Sequence, residues 1–329
     1  MSPGCLNCYA ERVAARSTKP GMAYYGLTKM VNGRPTWNGT MREIPQLLDQ
    51  PLRWRKARMI FVDSMSDLFH EKVSLDFIDK VFGVMGACYE AGRGHVFQIL
   101  TKRADRMRYY MNSTRAQKAW NSPRLGRSIW PPRNVWPGVS CEDQKRAQER
   151  IPILLDTAAT LRWVSAEPLL SAIDFNDFAD VTGYENLNAL TGLRENPFGD
   201  IVTRRTGTKL DWVVVGGESG ALARPMHPAW VASIQKQCAE AKVPFFFKQW
   251  GEFIPVREIP GAARPPNGSG VHVYPGDVML AEDGRVEVLD HKLSCTFEAE
   301  ATPLRFLGKK RAGHLLGGAA HQAYPAFTG

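Results

Sequence analysis

A chain of 329 residues, 44% hydrophobic and 23% charged, can bury a large core as one large domain or two ordinary ones, and its make-up is that of a soluble globular protein. No apolar run approaches the roughly 20 residues needed to cross a bilayer, and no basic segment followed by an apolar stretch stands at the front, so neither a membrane span nor a secretory signal is expected. Six cysteines in such a setting point to a reducing compartment, the cytoplasm by default, where thiols bind metals or do chemistry.

In chain order, the first feature is Cys5-Leu-Asn-Cys8 on a Pro-Gly turn, ahead of a helix-like run over 10–16. Such a turn can aim two thiolates at one metal or cluster, though two thiolates are not a complete site. The other reading is a surface turn that happens to hold two thiols. Residues 19–39 are punctuated by Gly and Pro and read as irregular, and a short helix is expected over 42–52 with a basic end, Arg53-Trp54-Arg55-Lys56.

A repeating grammar follows. Strands are expected at 59–62, 95–100, 134–139, 161–164, 210–215 and 243–247, the first as a buried run. Helices are expected after Ser74, over 104–111, over 144–155 and from Pro228 to about 241. Every strand body is apolar and every exit polar: Asp63-Ser64-Met65-Ser66-Asp67, Thr101-Lys102-Arg103, Ser140-Cys141-Glu142-Asp143, Glu167-Pro168, Gly216-Gly217-Glu218 and Lys248-Gln249. Strand, polar loop, helix, strand argues for parallel strands, and functional groups at all six exits favour a partial (βα)6 TIM-like barrel over a doubly wound sheet. The barrel is assigned to residues 1–252, with an insertion at about 175–208 read as a lid or surface loop. Residues 253–329 read as a small β appendix with a hairpin turn at Asp283-Gly284 and a last basic helix over 308–316.

The charge is as uneven as the hydropathy. The net balance is +9, and Lys102, Arg103, Arg106, Arg108, Arg115, Lys118, Arg124, Arg127 and Arg133 against the single Asp105, nine minus one, put +8 of it between 101 and 133. Tyr109, Tyr110, Trp120 and Trp130 are interleaved. Arginines hold phosphates and rings stack on bases, so Arg103, Arg106, Arg108, Arg115 and Lys118 are candidates for nucleic-acid contact. A solvated basic face is the alternative.

Blocks spread over nearly the whole chain then support a resemblance. They are Ser2-Pro-Gly-Cys-Leu-Asn-Cys-Tyr-Ala-Glu11, Leu52-Arg-Trp-Arg55, Phe61-Val-Asp-Ser-Met-Ser-Asp-Leu-Phe-His70, Leu100-Thr-Lys-Arg103 and Gly138-Val-Ser140 with Glu142-Asp143. They continue as Val164-Ser-Ala-Glu-Pro-Leu169, Val215-Gly-Gly-Glu-Ser-Gly220, Ala223-Arg-Pro-Met-His227 and Phe246-Phe-Lys-Gln-Trp-Gly-Glu252. The chain resembles a phage-associated family of unknown function that carries a three-cysteine motif and is related to radical-SAM enzymes. The resemblance implies a [4Fe–4S] cluster on the first loop, S-adenosylmethionine bound to it, and a 5′-deoxyadenosyl radical acting on a nucleic-acid base or nucleotide. Cys5 and Cys8 match two of the motif cysteines. The first would fall just before Met1, so either the start is mis-assigned or the chain is naturally short; an in-frame cysteine codon two or three positions upstream would restore the missing ligand.

Under this reading Asp63, Ser64, Ser66, Lys102, Ser140, Glu142, Gly216, Gly217, Glu218 and Gln249 are candidate cofactor contacts, and Glu167 and Lys248 candidate catalytic groups. Each has a plainer alternative: helix capping for Ser66 and Asp67, a tight turn for the glycines, and an ion pair of Lys102 or Arg103 with Glu142 or Asp143. A GGE in radical-SAM enzymes contacts the methionine amino group but follows an earlier strand, so Glu218 stays open. His70 and His227 read as structural donors or as site residues, and Cys88 and Cys238 as buried fillers. The expected partners are nucleic acid through 101–133 and a protein encoded nearby. The rival functions are a cluster-less nucleic-acid-binding barrel and a barrel enzyme using Glu167 and Lys248 as acid and base.

Overall fold

Behind a 3-10 turn at Pro3–Cys5 comes helix α1, Tyr9–Ala14, which buries Ala10 and Ala14. The structure, a computed structural model, describes all residues except 1, 122–129, 181, 182, 184, 197–202, 261, 263–270, 290–292, 296–300 and 327–329. Residues 19–39 are not irregular throughout: β1, Thr28–Val31, and β2, Arg34–Trp37, form an antiparallel hairpin. Its turn is Asn32-Gly33, with φ of +48° and +72°, the positive values a two-residue hairpin turn needs. The helix expected over 42–52 shrinks to a 3-10 turn at Pro45–Leu47 and α2, Gln50–Arg53. Pro45 and Pro51 each lack the amide that a continuous helix would use, so each starts a short turn.

The strand–helix grammar is realised as β3 (Met59–Val62), α3 (Leu75–Glu90), β4 (Val96–Thr101), α4 (Ala104–Met111), α5 (Thr114–Trp120), β5 (Val135–Ser140), α6 (Gln144–Leu155) and β6 (Trp163–Ala166). The insertion then gives β7 (Phe178–Ala179), β8 (Asn186–Leu187), β9 (Leu193–Asn196) and β10 (Thr203–Thr206), and the grammar resumes with β11 (Trp212–Gly216), α7 (Pro228–Glu240) and β12 (Phe245–Gln249). Strands β3, β4, β5, β6, β11 and β12 form a six-stranded parallel sheet in that order. The order never reverses, so the switch point of a doubly wound sheet does not arise. The insertion carries a four-stranded antiparallel sheet, β10-β9-β8-β7, where an irregular surface loop was one expectation.

The chain divides into two compact units. One comprises residues 8–139 and 153–163. Its core packs Ile78, Phe82 and Met85 of α3 with Phe69, Met107, Tyr110 and Trp120, all 1% exposed or less. The Ser74 hydroxyl caps α3 by accepting from the Phe77 amide at 3.1 Å. Strand β3 was expected to be buried, but Met59 and Phe61 are 47% and 43% exposed, because β3 is an edge strand of the sheet.

The other unit comprises residues 1–7, 140–152 and 164–326. All described residues of β6 and β11 are buried, and α7 is capped by His227, whose Nδ1 accepts from the Ala229 amide at 3.1 Å. Its later part holds β13 (Phe253–Pro255), β14 (Val271–Val273), β15 (Val278–Ala281), β16 (Val286–Val288), β17 (Leu293–Cys295) and β18 (Ala301–Phe306). They pair as the sheet β13-β18-β15-β16 and the ribbon β14-β17. Gly284 sits at the expected turn with φ +92°, whereas Pro265-Pro266-Asn267-Gly268 lies outside the described residues. The terminal basic helix is a single turn, Lys309–Ala312, closed by Gly313. Beyond it the chain runs beside β12, where the Phe247 amide donates to His321 O at 2.7 Å and the Ala323 amide to Phe245 O at 3.2 Å. This closing segment pairs with strand β12 and leaves that side of it no open edge.

Candidate functional site

In the second unit four strand exits are stitched to one another by their backbones. The Leu169 amide donates to Gly216 O at 3.0 Å, the Gly217 amide to Gln249 O at 2.9 Å, and the Ser140 hydroxyl to Glu167 O at 3.2 Å. Gln249 Nε2 donates to Gly217 O and Ser219 Oγ at 3.3 and 3.2 Å. Both glycines are required by close approach. A Cβ on Gly217 would lie 1.9 Å from Trp250 O, and one on Gly216 would lie 3.1 Å from the Glu167 carboxyl carbon. Over Gly216 the Glu167 carboxylate therefore lies flat, with Lys248 Nζ donating to its Oε2 at 2.7 Å. The side chains are 16% and 52% exposed, and Glu167 Oε1 is buried without a hydrogen-bond partner among the described residues. Glu167 and Lys248, singled out from sequence as a catalytic pair, thus do meet; the Glu167–Pro168 peptide is cis.

The cysteine turn is docked on two of these exits. The Gly4 amide donates to Glu142 Oε1 at 3.0 Å, and Asn7 Nδ2 donates to Glu218 Oε2 at 3.1 Å and Leu222 O at 2.8 Å. Glu142 is fully buried, and its Oε2 takes Arg150 Nη1 at 3.0 Å, while the same nitrogen reaches Ser140 O at 2.5 Å. Glu218 is gripped by Arg224 through Nε, Nη2 and the backbone amide at 2.6–2.8 Å, and Arg224 Nη2 also donates to Pro3 O at 3.0 Å. Burial pushes the Glu218 carboxyl up, but the bonds from Arg224 and Asn7 outweigh it and leave the group below the ordinary carboxylate range. Both carboxylates were candidate cofactor contacts; the structure gives each of them protein partners around the turn. Gly4, Asn7, Arg150 and Arg224 join this cluster without having been singled out from sequence. Their partners lie as far as 221 residues away, and no local signal announces such a bond.

Cys5 is half-buried, with Ser2 Oγ 3.6 Å from its sulfur. Cys8, also half-buried, precedes α1 and belongs to the other unit. Cys88, Cys141 and Cys238 are fully buried, and desolvation pushes the Cys88 and Cys238 thiols up to about 11 and about 12. The side chain of Cys295 lies outside what is described. Next to the turn is a cavity of about 370 Å³ lined by Pro3, Asp143, Leu170, Arg224 and Trp230 among others.

The first unit carries its own cluster of exit residues. Asp67 organises it: Oδ1 accepts from the Phe69 amide and the Thr101 hydroxyl at 3.0 and 2.7 Å, and Oδ2 from the Lys102 amide and Arg103 Nη1 at 3.2 and 2.8 Å. Arg103 Nε adds Glu71 at 2.8 Å, so Arg103 pairs with these two acids and not with the expected Glu142 or Asp143. Ser64 offers its carbonyl to the Tyr9 hydroxyl at 2.6 Å. Asp63, at φ +55°, is open to solvent on one side; surrounding atoms first and the Asp67 charge second hold its carboxyl above the ordinary range, against the hydrogen bond from Ser66. The His70 ring accepts from the Lys72 amide at 3.2 Å and caps its own loop, and partial burial lowers its basicity. His70 and His227 therefore both act as local acceptors, where structural donors were one expectation.

The basic stretch looks different once folded. Arg106 donates to His70 O and, at 2.6 Å, to Val73 O; Arg108 pairs with Asp156 at 3.2 Å; Arg115 bonds to Asp76 and, at 2.8 Å, to Asp79. Tyr110 and Trp120 are 1% exposed, core residues that present no ring to a base. Tyr109 at 71% and Lys118 remain outward, and Arg124 and Arg127 lie outside the described residues. Asp76, Asp79 and Asp156, all outside the segment, answer Arg115 and Arg108, and Asp105 inside it lies 3.8 Å from Arg108.

Among the described residues no group of three or more His, Cys, Asp or Glu side chains is placed to hold a metal, and no helix is long and apolar enough to cross a membrane. No curated protein and no solved structure matches the chain. A family model aligns with it over residues 1–325, and by that coverage the chain belongs to the family described as protein of unknown function, DUF5131.

Proposed function

We propose that this protein is an α/β enzyme whose reactive centre lies at the C-terminal ends of its parallel strands. On this reading the six-stranded sheet is the wall of a partial (βα)6 TIM-like barrel, and the protein is of the phage-associated, radical-SAM-like class that its motifs resemble, modifying a nucleic-acid base or nucleotide. The observation that carries the reading is the docking of the cysteine turn, with Gly4 on Glu142 and Asn7 on Glu218. A turn holding two incidental thiols has no need of two largely buried carboxylates, each backed by an arginine, to fix it at strand exits.

A [4Fe–4S] cluster with S-adenosylmethionine would supply one-electron chemistry able to take a hydrogen atom from an unactivated carbon. Cys5 and Cys8 offer two of its three thiolates, and the described residues contain no metal-holding group of three, so the ligand set does not close on them. The chain's own residues still have defined tasks: Glu142 and Glu218 orient the turn, and Glu167 and Lys248 hold a proton between them at 2.7 Å. Anaerobic incubation with ferrous iron and sulfide of a chain extended upstream of Met1 tests the reading. A brown protein with bound iron and sulfide that the Cys5→Ser and Cys8→Ser variants lose is expected. A colourless product, or iron uptake indifferent to both cysteines, refutes it.

The Glu167–Lys248 pair favours a second reading, acid–base catalysis without a cluster. One oxygen of Glu167 sits on the ammonium and the other is buried against Gly216, an arrangement suited to proton exchange with a bound substrate. Activity that survives Cys5→Ala with Cys8→Ala but not Glu167→Gln selects this alternative.

A further inference from the structure

We infer that the exposed loop Arg53–Arg58, and not the arginine-rich helices α4 and α5, is the surface on which this protein holds single-stranded nucleic acid. No acid occurs between Asp49 and Asp63, and that interval contains Arg53, Arg55, Lys56 and Arg58. All four are exposed. Arg53 pairs with Asp49, whereas Arg55, Lys56 and Arg58 make no ion pair among the described residues. Binding to a polyanion draws on cations that folding has left uncompensated, because each releases a counterion from the nucleic acid. Arg106, Arg108 and Arg115 do not meet that condition: two already face carboxylates and one holds carbonyls.

The loop also carries the ring that such binding uses. Trp54 is half-buried between the cations, with the Arg58 guanidinium 4.6 Å from its ring centre and His95 edge-on at 6.1 Å. Stacking of bases on an aromatic side chain beside a basic track is the means by which single strands are held without sequence preference. The geometry is pre-set. The Arg58 amide donates to His95 Nδ1 at 3.2 Å, which leaves the proton on Nε2 to donate to Pro51 O at 3.0 Å; the Val96 amide donates to Arg58 O at 2.9 Å. Gly94 packs against the loop, where an added Cβ would lie 3.2 Å from Ala57 Cβ. The loop enters β3 at the end opposite Asp63, so it serves as an anchoring surface apart from the strand exits. It does not depend on the proposed chemistry, and either can fail alone.

The test is fluorescence anisotropy of a labelled oligothymidylate with the full chain over a salt series. For Arg55→Ala with Lys56→Ala and Arg58→Ala, the slope of log affinity against log salt should flatten by about 2, at about 0.7 per lost single-strand phosphate contact. Trp54→Ala should weaken binding about tenfold, as loss of one stacked base does. Arg108→Ala with Lys118→Ala should leave the slope unchanged. The three loop cations are exposed, so their removal leaves the core intact, and circular dichroism checks it. An unchanged slope in the loop variant, or a flattened one in the Arg108 and Lys118 variant, overturns the inference. So does a wild-type protein that ignores the oligonucleotide, prefers duplex without regard to Trp54, or binds only phosphatidylserine vesicles.

Discussion

Glu142→Ala should remove the anchor of the cysteine turn and cost more than an ordinary core truncation. It would leave Arg150, whose side chain is 9% exposed, with Ser140 O as its remaining described acceptor, and would strip the Gly4 amide of its acceptor at 3.0 Å. Breaking a buried ion pair by deleting one partner costs about 3–5 kcal/mol, chiefly because the surviving charge stays buried. The orphaned amide overlaps with that figure instead of adding to it, since both bonds end on one carboxylate. Glu142→Gln keeps an oxygen for Gly4 and should cost roughly half as much, while Arg150→Met should resemble the alanine variant, for the opposite charge. The double variant Glu142→Gln with Arg150→Met should fall short of the sum of its singles by about 1–3 kcal/mol. Urea unfolding followed by tryptophan fluorescence gives the energies, and amide exchange over residues 3–7 shows whether the turn loosens. A loss below about 1 kcal/mol in Glu142→Ala, or additive singles, would mean that the anchor holds nothing, because a buried pair behaves otherwise.

Three further outcomes follow from the same geometry. Alkylation at mildly alkaline pH with peptide mapping should label the half-buried Cys5 and Cys8 and spare Cys88 and Cys238, whose thiols are held up to about 11 and about 12; rapid labelling of either buried thiol contradicts the packing. Gly217→Ala should fail to reach the native fold, since its Cβ would meet Trp250 O at 1.9 Å, whereas Gly216→Ala should fold with Glu167 pushed aside by a few tenths of an ångström, a contrast that soluble yield and thermal midpoint will check. Glu218 titrates below the ordinary carboxylate value in the folded state, so its stabilisation is complete above that value and fades as pH falls through the lowered one; exchange at residues 3–7 should rise on acidification, and no change would refute this. Glu71, lowered from 4.5 to about 2 by Arg103, acts in the same direction, but with 69% of its side chain exposed it contributes less than about 1 kcal/mol.

The alternation of apolar bodies and polar exits was legible from the first, because period and breaker residues are local properties of the chain. Helices α4 and α6 fall on the expected residues, and Ser74 caps α3 as its position before the Phe77–Met85 stripe suggested. The Asn32-Gly33 dipeptide is itself a hairpin signal, set among other glycines and prolines that read as irregular. Glu167 and Lys248 could be named as exit residues because Glu167 directly follows β6 and Lys248 stands one residue before the end of β12.

What tertiary structure alone decided is which charges answer which. Glu142 finds Gly4 138 residues away, Glu218 finds Asn7 211 away, and Arg115 finds Asp79 36 away, separations at which composition and spacing carry no information about pairing. The same holds for the basic stretch, where Arg115 and Arg108 meet acids contributed by α3 and by the segment after α6. Amino-acid sequence determined the elements of this protein, since backbone geometry responds to neighbours. Folding determined which ionic groups remain for a partner, since electrostatic pairing depends on distance through space.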